Sequence, residues 1–147
     1  MIETPIEVLL VDDNPNEIEL AVHALKSSEY IHEVQVARDG IEALEFLFCQ
    51  GKFTGRTPTN QPKLVLLDLK LPRMDGLEVL RCIKQDPRTR SIPVVMLTSS
   101  SDQNDVIRCY QTGANSYIIK PVDYTEFIRA TRTLTTYWMT LNHLPVA

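Results

Sequence analysis

The chain has 147 residues, of which 44% are hydrophobic and 23% charged, and a formal net charge of −4. That length suits one α/β domain with a continuous core, and the composition is that of an ordinary soluble globule. A negative balance with scattered Lys and Arg argues against nucleic acid as a direct partner, because binding phosphates needs a concentrated basic surface.

No basic leader precedes an apolar stretch, and the apolar runs are too short to cross a bilayer. A cytoplasmic protein with no membrane partner is expected. Cys49, Cys82 and Cys109 are odd in number and irregularly spaced, which speaks against a disulfide framework or a CxxC metal site. His23, His32 and His143 also lack the spacing of metal ligands.

Val8–Val11 is a pure apolar run stopped by Asp12-Asp13-Asn14-Pro15, and reads as a buried parallel strand. Asn14 suits a helix N-cap, Pro15 the first helical position and Glu17 the capping-box return. Ile18, Ala21, Val22 and Leu25 then form one apolar face. Residues 33–37 alternate with period two and predict a more exposed strand. Asp39 and Glu42 open a second helix with Ala43, Leu44, Leu47 and Phe48 inward. Residues 51–63 are rich in Gly, Pro, Thr and Asn and predict a surface loop.

Leu64–Leu67 is the next buried strand, ending at Asp68. A turn through Pro72 and Gly76 leads to a helix with Leu77, Leu80 and Ile83 inside. Ile92–Leu97 is a fourth strand ending at Thr98, and Asp102–Thr112 a fourth helix capped by Gly113. Tyr117–Ile119 is a fifth strand ending at Lys120-Pro121. Asp123 and Glu126 open a last helix with Phe127, Ile128, Thr131, Leu134 and Trp138 inward. Tyr137, Met139, Leu141 and Leu144 add apolar groups off that stripe, so a homodimer built on the fifth helix and its tail is expected.

Strict strand–helix alternation predicts a doubly wound parallel sheet in a single domain over residues 1–147, with a core at about 6–136 and a tail at 137–147. Ligands of such sheets bind at the carboxyl ends of the strands. Here those ends carry Asp12-Asp13, Asp68, Thr98 and Lys120. If the strand order is 2-1-3-4-5, the first and third strands are neighbours and Asp13 and Asp68 would face each other. Each close carboxylate pair costs about 4 kcal/mol at 4 Å and an effective dielectric of 20. A hard dication such as Mg²⁺ removes that repulsion. Three carboxylates, one dication and the Lys120 ammonium then balance to zero, a setting suited to an incoming phosphoryl group.

The segments Val-Asp-Asp-Asn, Leu-Leu-Asp-Leu-Lys-Leu-Pro-Arg-Met-Asp-Gly, Met-Leu-Thr-Ser-Ser and Tyr-Ile-Ile-Lys-Pro resemble those of response-regulator receiver domains. The likeness covers about residues 6–136. The long loop before the third strand and the tail from Tyr137 resemble stand-alone response regulators of cyanobacterial phytochromes. The resemblance implies the flavodoxin-like order 2-1-3-4-5 and a phosphoacceptor role for Asp68, served by the phosphohistidine of a sensor histidine kinase. It further implies Mg²⁺ held directly by Asp13 and Asp68, with Asp12 acting through water and the Lys70 backbone carbonyl completing the set. Lys120 would pair with the phosphoryl oxygens, Thr98 would hydrogen-bond them, and Tyr117 would follow Thr98 inward. The face of helix 4, strand 5 and helix 5 would then move.

Two enzyme or cofactor readings fit less well. A haloacid-dehalogenase-type phosphatase needs an acid two residues after the nucleophile, where this chain has Lys70. A flavodoxin-type module needs a hydroxyl- and Gly-rich phosphate loop where this chain has Asp12-Asp13. A phosphorylation-independent adaptor on the same fold is the remaining alternative.

Overall fold

A strand that is apolar at every position must be covered on both faces. Such strands are β1 (Val8–Val11) and β3 (Leu64–Leu67), buried along their whole lengths. The computed structural model of the chain, which describes residues 3–145, places them side by side in a five-stranded parallel sheet. With β2 (Val34–Ala37), β4 (Val94–Thr98) and β5 (Ser116–Ile119), the order is β2-β1-β3-β4-β5. This is the expected fold class and order. Val8 is in register with Val34 on one side and Leu64 on the other.

Side chains of successive strand residues point to opposite faces, and the core divides accordingly. Leu9, Val11, Val65, Leu67, Val94 and Met96 pack with residues of α2 (Gly40–Leu47), α3 (Gly76–Gln85) and Cys109 of α4 (Gln103–Thr112). Val8, Leu10, Leu64, Leu66, Val95 and Leu97 pack with α1 (Pro15–Lys26) and α5 (Tyr124–Thr136). Among the described residues no helix is long and apolar enough to cross a membrane.

Helix starts follow the capping residues. The Asn14 side chain accepts from the Asn16 and Glu17 amides, Asp39 from Glu42, Asp102 from Asn104 and Asp123 from Glu126. Gly113 ends α4 at φ 117°, a left-handed conformation open to glycine. Several details differ from the sequence reading. Ala24 rather than Val22 completes the buried face of α1, and Phe46 joins that of α2. Ile92 and Pro93 are buried but precede β4. Ile128 is only half-buried, whereas Thr135 is buried with its hydroxyl donating to the Thr131 carbonyl. The loop of residues 51–63 contains a short 3₁₀ turn at Gly51–Phe53. Beyond α5 the helix widens into a π turn at Tyr137–Leu141, which carries Trp138 and Met139 back against the α1/α5 side of the core.

One glycine fixes where the third strand meets its helix. A β-carbon at Gly76 would lie 2.1 Å from the Asp68 carbonyl oxygen and 2.7 Å from that of Leu69, both backbone atoms. The α3 N-terminus can therefore approach the end of β3 only through glycine. Gly76→Ala should lower stability by about 2–3 kcal/mol, whereas Gly55→Ala, with open space around its β-carbon, should stay within about 0.5 kcal/mol of wild type. Equal denaturation midpoints for the two variants would contradict this placement.

Candidate functional site

The backbone ladders run up to the site residues. The Asp12 amide donates to the Ala37 carbonyl at 3.1 Å, the Asp68 amide to Val11 at 2.9 Å and the Lys120 amide to Thr98 at 2.7 Å. Asp12, Asp68, Thr98 and Lys120 thus stand at one edge, on strands that cannot slide without breaking the sheet.

Lys120 is the centre of the arrangement. Its ammonium donates to Glu17 at 2.6 Å, Asp12 at 2.8 Å and Asp68 at 3.0 Å, so all three N–H groups meet carboxylates. The Lys120 side chain is 6% exposed and that of Asp12 5%, while Asp68 is 13% and Glu17 38% exposed. Of the two carboxylates that end a strand at this ammonium, Asp12 and Asp68, Asp68 is the more reachable. Its other oxygen accepts from the Leu69 amide at 2.7 Å. Burial opposes the Lys120 charge, but hydrogen bonds to Asp12 and Glu17, with Asp68 close by, outweigh it and raise the Lys120 pKa. With a folded pKa above the unfolded value of roughly 10.4, this stabilisation is complete below that value. It is lost only as pH rises past it.

One oxygen from each of Asp12, Glu17 and Asp68 lies within 4.8 Å of the others. Three hard oxygen donors against a single ammonium leave a net charge of −2, which a dication matches. The donor set suits Mg²⁺ or Mn²⁺ rather than a thiol- or imidazole-seeking metal.

The remaining expected residues sit around this core. Asp13 is exposed and lies outside the three-carboxylate cluster, and Lys70 is exposed on the loop after β3. Thr98 is buried, and its hydroxyl oxygen accepts from the Ser100 amide at 3.3 Å. The Tyr117 hydroxyl donates to the Ser100 carbonyl at 2.9 Å, and burial is the main cause of its raised pKa. The Ser100 hydroxyl in turn donates to Asp105 at 2.6 Å, tying the loop to the first turn of α4.

The pattern of the response regulator receiver domain matches residues 8–132. The chain belongs to this family. It is 38% identical over 143 residues to the response regulator Rcp1 of Synechocystis, covering 97% of this chain and 95% of that protein. A crystal structure of the phosphorylated cyanobacterial phytochrome response regulator RcpA superposes with a TM-score of 0.90 at 36% identity, covering 97% of this chain and all of the other. The Mn²⁺-bound form of Rcp1 gives 0.88 at 37% identity, with the same coverage. As a receiver-domain response regulator, the chain is a phosphoacceptor signalling protein of the two-component type.

Within this receiver domain, sequence reasoning assigned Glu17 to a capping box, and the structure corrects that. The Glu17 carboxylate goes to Lys120, and the Asn14 amide it was expected to accept from donates instead to Asp12 at 3.0 Å. The available signal was its position in the first turn of α1, beside the same sheet edge. Ser100 stood out in the sequence as the position two residues after Thr98, but its contacts to Tyr117 and Asp105 did not, and Asp105 carried no signal beyond an acidic residue near a helix start.

The charge imbalance sets opposite outcomes for two substitutions in metal-free protein. Lys120→Met leaves buried Asp12 without its cation and should cost about 3 kcal/mol. Asp68→Asn removes one of three mutually repelling charges and should raise stability by about 1 kcal/mol. Denaturant midpoints in EDTA check both, and a midpoint for Asp68→Asn below wild type would contradict the electrostatic account.

Proposed function

We propose that Asp68 accepts a phosphoryl group from the phosphohistidine of a sensor histidine kinase in the cytoplasm. The carrying observation is the Asp68 carboxylate itself, partly exposed at a strand end and 3.0 Å from a buried ammonium. In the transfer, an Asp68 oxygen bonds to phosphorus as the P–N bond breaks and the imidazole departs with the electron pair. Little covalent assistance is needed for such a reaction, so positioning and charge neutralisation do most of the catalysis. Lys120 would hold a phosphoryl oxygen. Asp13 and Asp68 would bind Mg²⁺ directly, with Asp12 through water and the Lys70 carbonyl completing the set. The ion would supply charge neutralisation for the incoming group. The Mn²⁺-bound form of Rcp1 supports a divalent ion in this role, and the likeness to RcpA supports a phytochrome-type kinase as the donor.

The output reading follows from the neighbouring surface. Thr98 would leave the Ser100 amide to bond the phosphoryl group, Tyr117 would follow, and the face of α4, β5 and α5 would shift. That face carries exposed Tyr110, Ile119 and Tyr137, with Leu141 and Leu144 exposed beyond it. Trp138 is turned onto its own domain and so is not part of that patch. β5 is also an edge strand, whose open backbone groups invite a partner. An isologous homodimer through β5, α5 and the tail is the assembly these features support.

Acetyl phosphate with Mg²⁺ should add one phosphoryl group to the wild type and none to Asp68→Asn, read by intact mass. Labelling that survives Asp68→Asn would move the acceptor elsewhere. No labelling of wild type would favour the phosphorylation-independent adaptor. For assembly, sedimentation at tens of micromolar should show a dimer whose population changes with beryllium fluoride. A monomer in both states would defeat the dimer, and an unaltered dimer would defeat the coupling.

A further inference from the structure

Glu17 makes the shortest of the three contacts to Lys120, and the rest of the fold does not need it there. The cap of α1 is complete without its carboxylate, since Asn14 caps two amides and Asp12 takes the Asn14 amide. Lys120 is already placed without it. Its amide is fixed to Thr98 at 2.7 Å, its side chain is buried, and buried Asp12 holds the ammonium at 2.8 Å. What Glu17 adds is therefore charge rather than position. Because it is 38% exposed, that charge also faces whatever approaches from solvent.

We infer that Glu17 sets the balance between two properties of the site, raising its affinity for a divalent cation and slowing its acceptance of a phosphoryl group. A third carboxylate within 4.8 Å of Asp12 and Asp68 deepens the negative potential that draws a cation. The same charge repels an anionic phosphoryl donor. It also competes with the phosphoryl oxygens for the one ammonium that must neutralise them. This inference rests on Asp68 being the phosphoacceptor. With acetyl phosphate as donor, an Asp68 oxygen bonds to phosphorus and acetate leaves with the electrons of the broken O–P bond.

Glu17→Gln tests it, keeping side-chain length and one accepting oxygen while losing the charge. Glu19→Gln is the control, an exposed residue of the same helix that takes no part in the cluster. Mg²⁺ titration of unphosphorylated protein, followed by amide chemical shifts, should give a dissociation constant about three- to ten-fold higher for Glu17→Gln than for wild type. At saturating Mg²⁺, the second-order rate constant for phosphorylation by acetyl phosphate should rise by about the same factor. Glu19→Gln should match wild type in both. General damage to the fold would lower both metal affinity and rate, so the opposed movements are diagnostic. Unchanged Mg²⁺ affinity, or a rate equal to or below wild type, overturns the inference. A wild type that takes no phosphoryl group would instead refute the phosphoacceptor reading, and the Mg²⁺ titration would still decide the effect of Glu17 on the metal.

Discussion

One ammonium faces three carboxylates, and the organisation of this receiver domain turns on that imbalance. Lys120 can stay charged while almost fully buried because Asp12, Glu17 and Asp68 each take one of its protons in a hydrogen bond. The carboxylates themselves are not satisfied by one cation. Their repulsion is held in place by a sheet whose backbone bonds continue to the site residues, and by a helix that can approach only at Gly76. Stability is given up locally so that the site is ready for additional positive charge, a common arrangement at functional sites.

The surroundings offer a physical route from that charge to the surface. Thr98 lies at the end of β4, and its hydroxyl is engaged by the Ser100 amide. The Ser100 carbonyl holds Tyr117, and its hydroxyl holds Asp105 at the start of α4. Thr98 is therefore two hydrogen bonds away from Asp105 of α4 and from Tyr117 of the edge strand β5. Withdrawal of Thr98 would unsettle a chain of contacts rather than a single bond. Such a chain suits the proposed readout of a local electrostatic event at that face, in a protein similar along nearly its whole length to a phytochrome response regulator.

Much of the fold was legible in the sequence because its signals are local. Unbroken apolar runs at Val8–Val11 and Leu64–Leu67 announced buried strands, and Asn14, Asp39, Asp102 and Asp123 announced helix starts. The meeting of Asp12, Asp68 and Lys120 was legible too, since each closes a strand and strand ends share an edge. Glu17 was not. Its capping-box spacing already accounted for it, and only the three-dimensional reach of Lys120, 103 residues away, draws its carboxylate elsewhere. Asp13 shows the converse: its place in the motif implies a ligand, while it is exposed and outside the three-carboxylate cluster. Trp138 follows the stripe of Phe127, Thr131 and Leu134 and packs inward as read, whereas Met139, read as off that stripe, also packs inward because the helix ends in a π turn at Tyr137–Leu141.

The claim that this edge is a cluster of excess negative charge awaiting a dication is tested most directly by the denaturant midpoint of the wild type. It should be measured in rising Mg²⁺ and, at matched ionic strength, in NaCl. Binding to the folded state alone stabilises it by mass action, so the midpoint should climb with Mg²⁺ well beyond the salt control. Coincident curves in Mg²⁺ and NaCl would contradict the account.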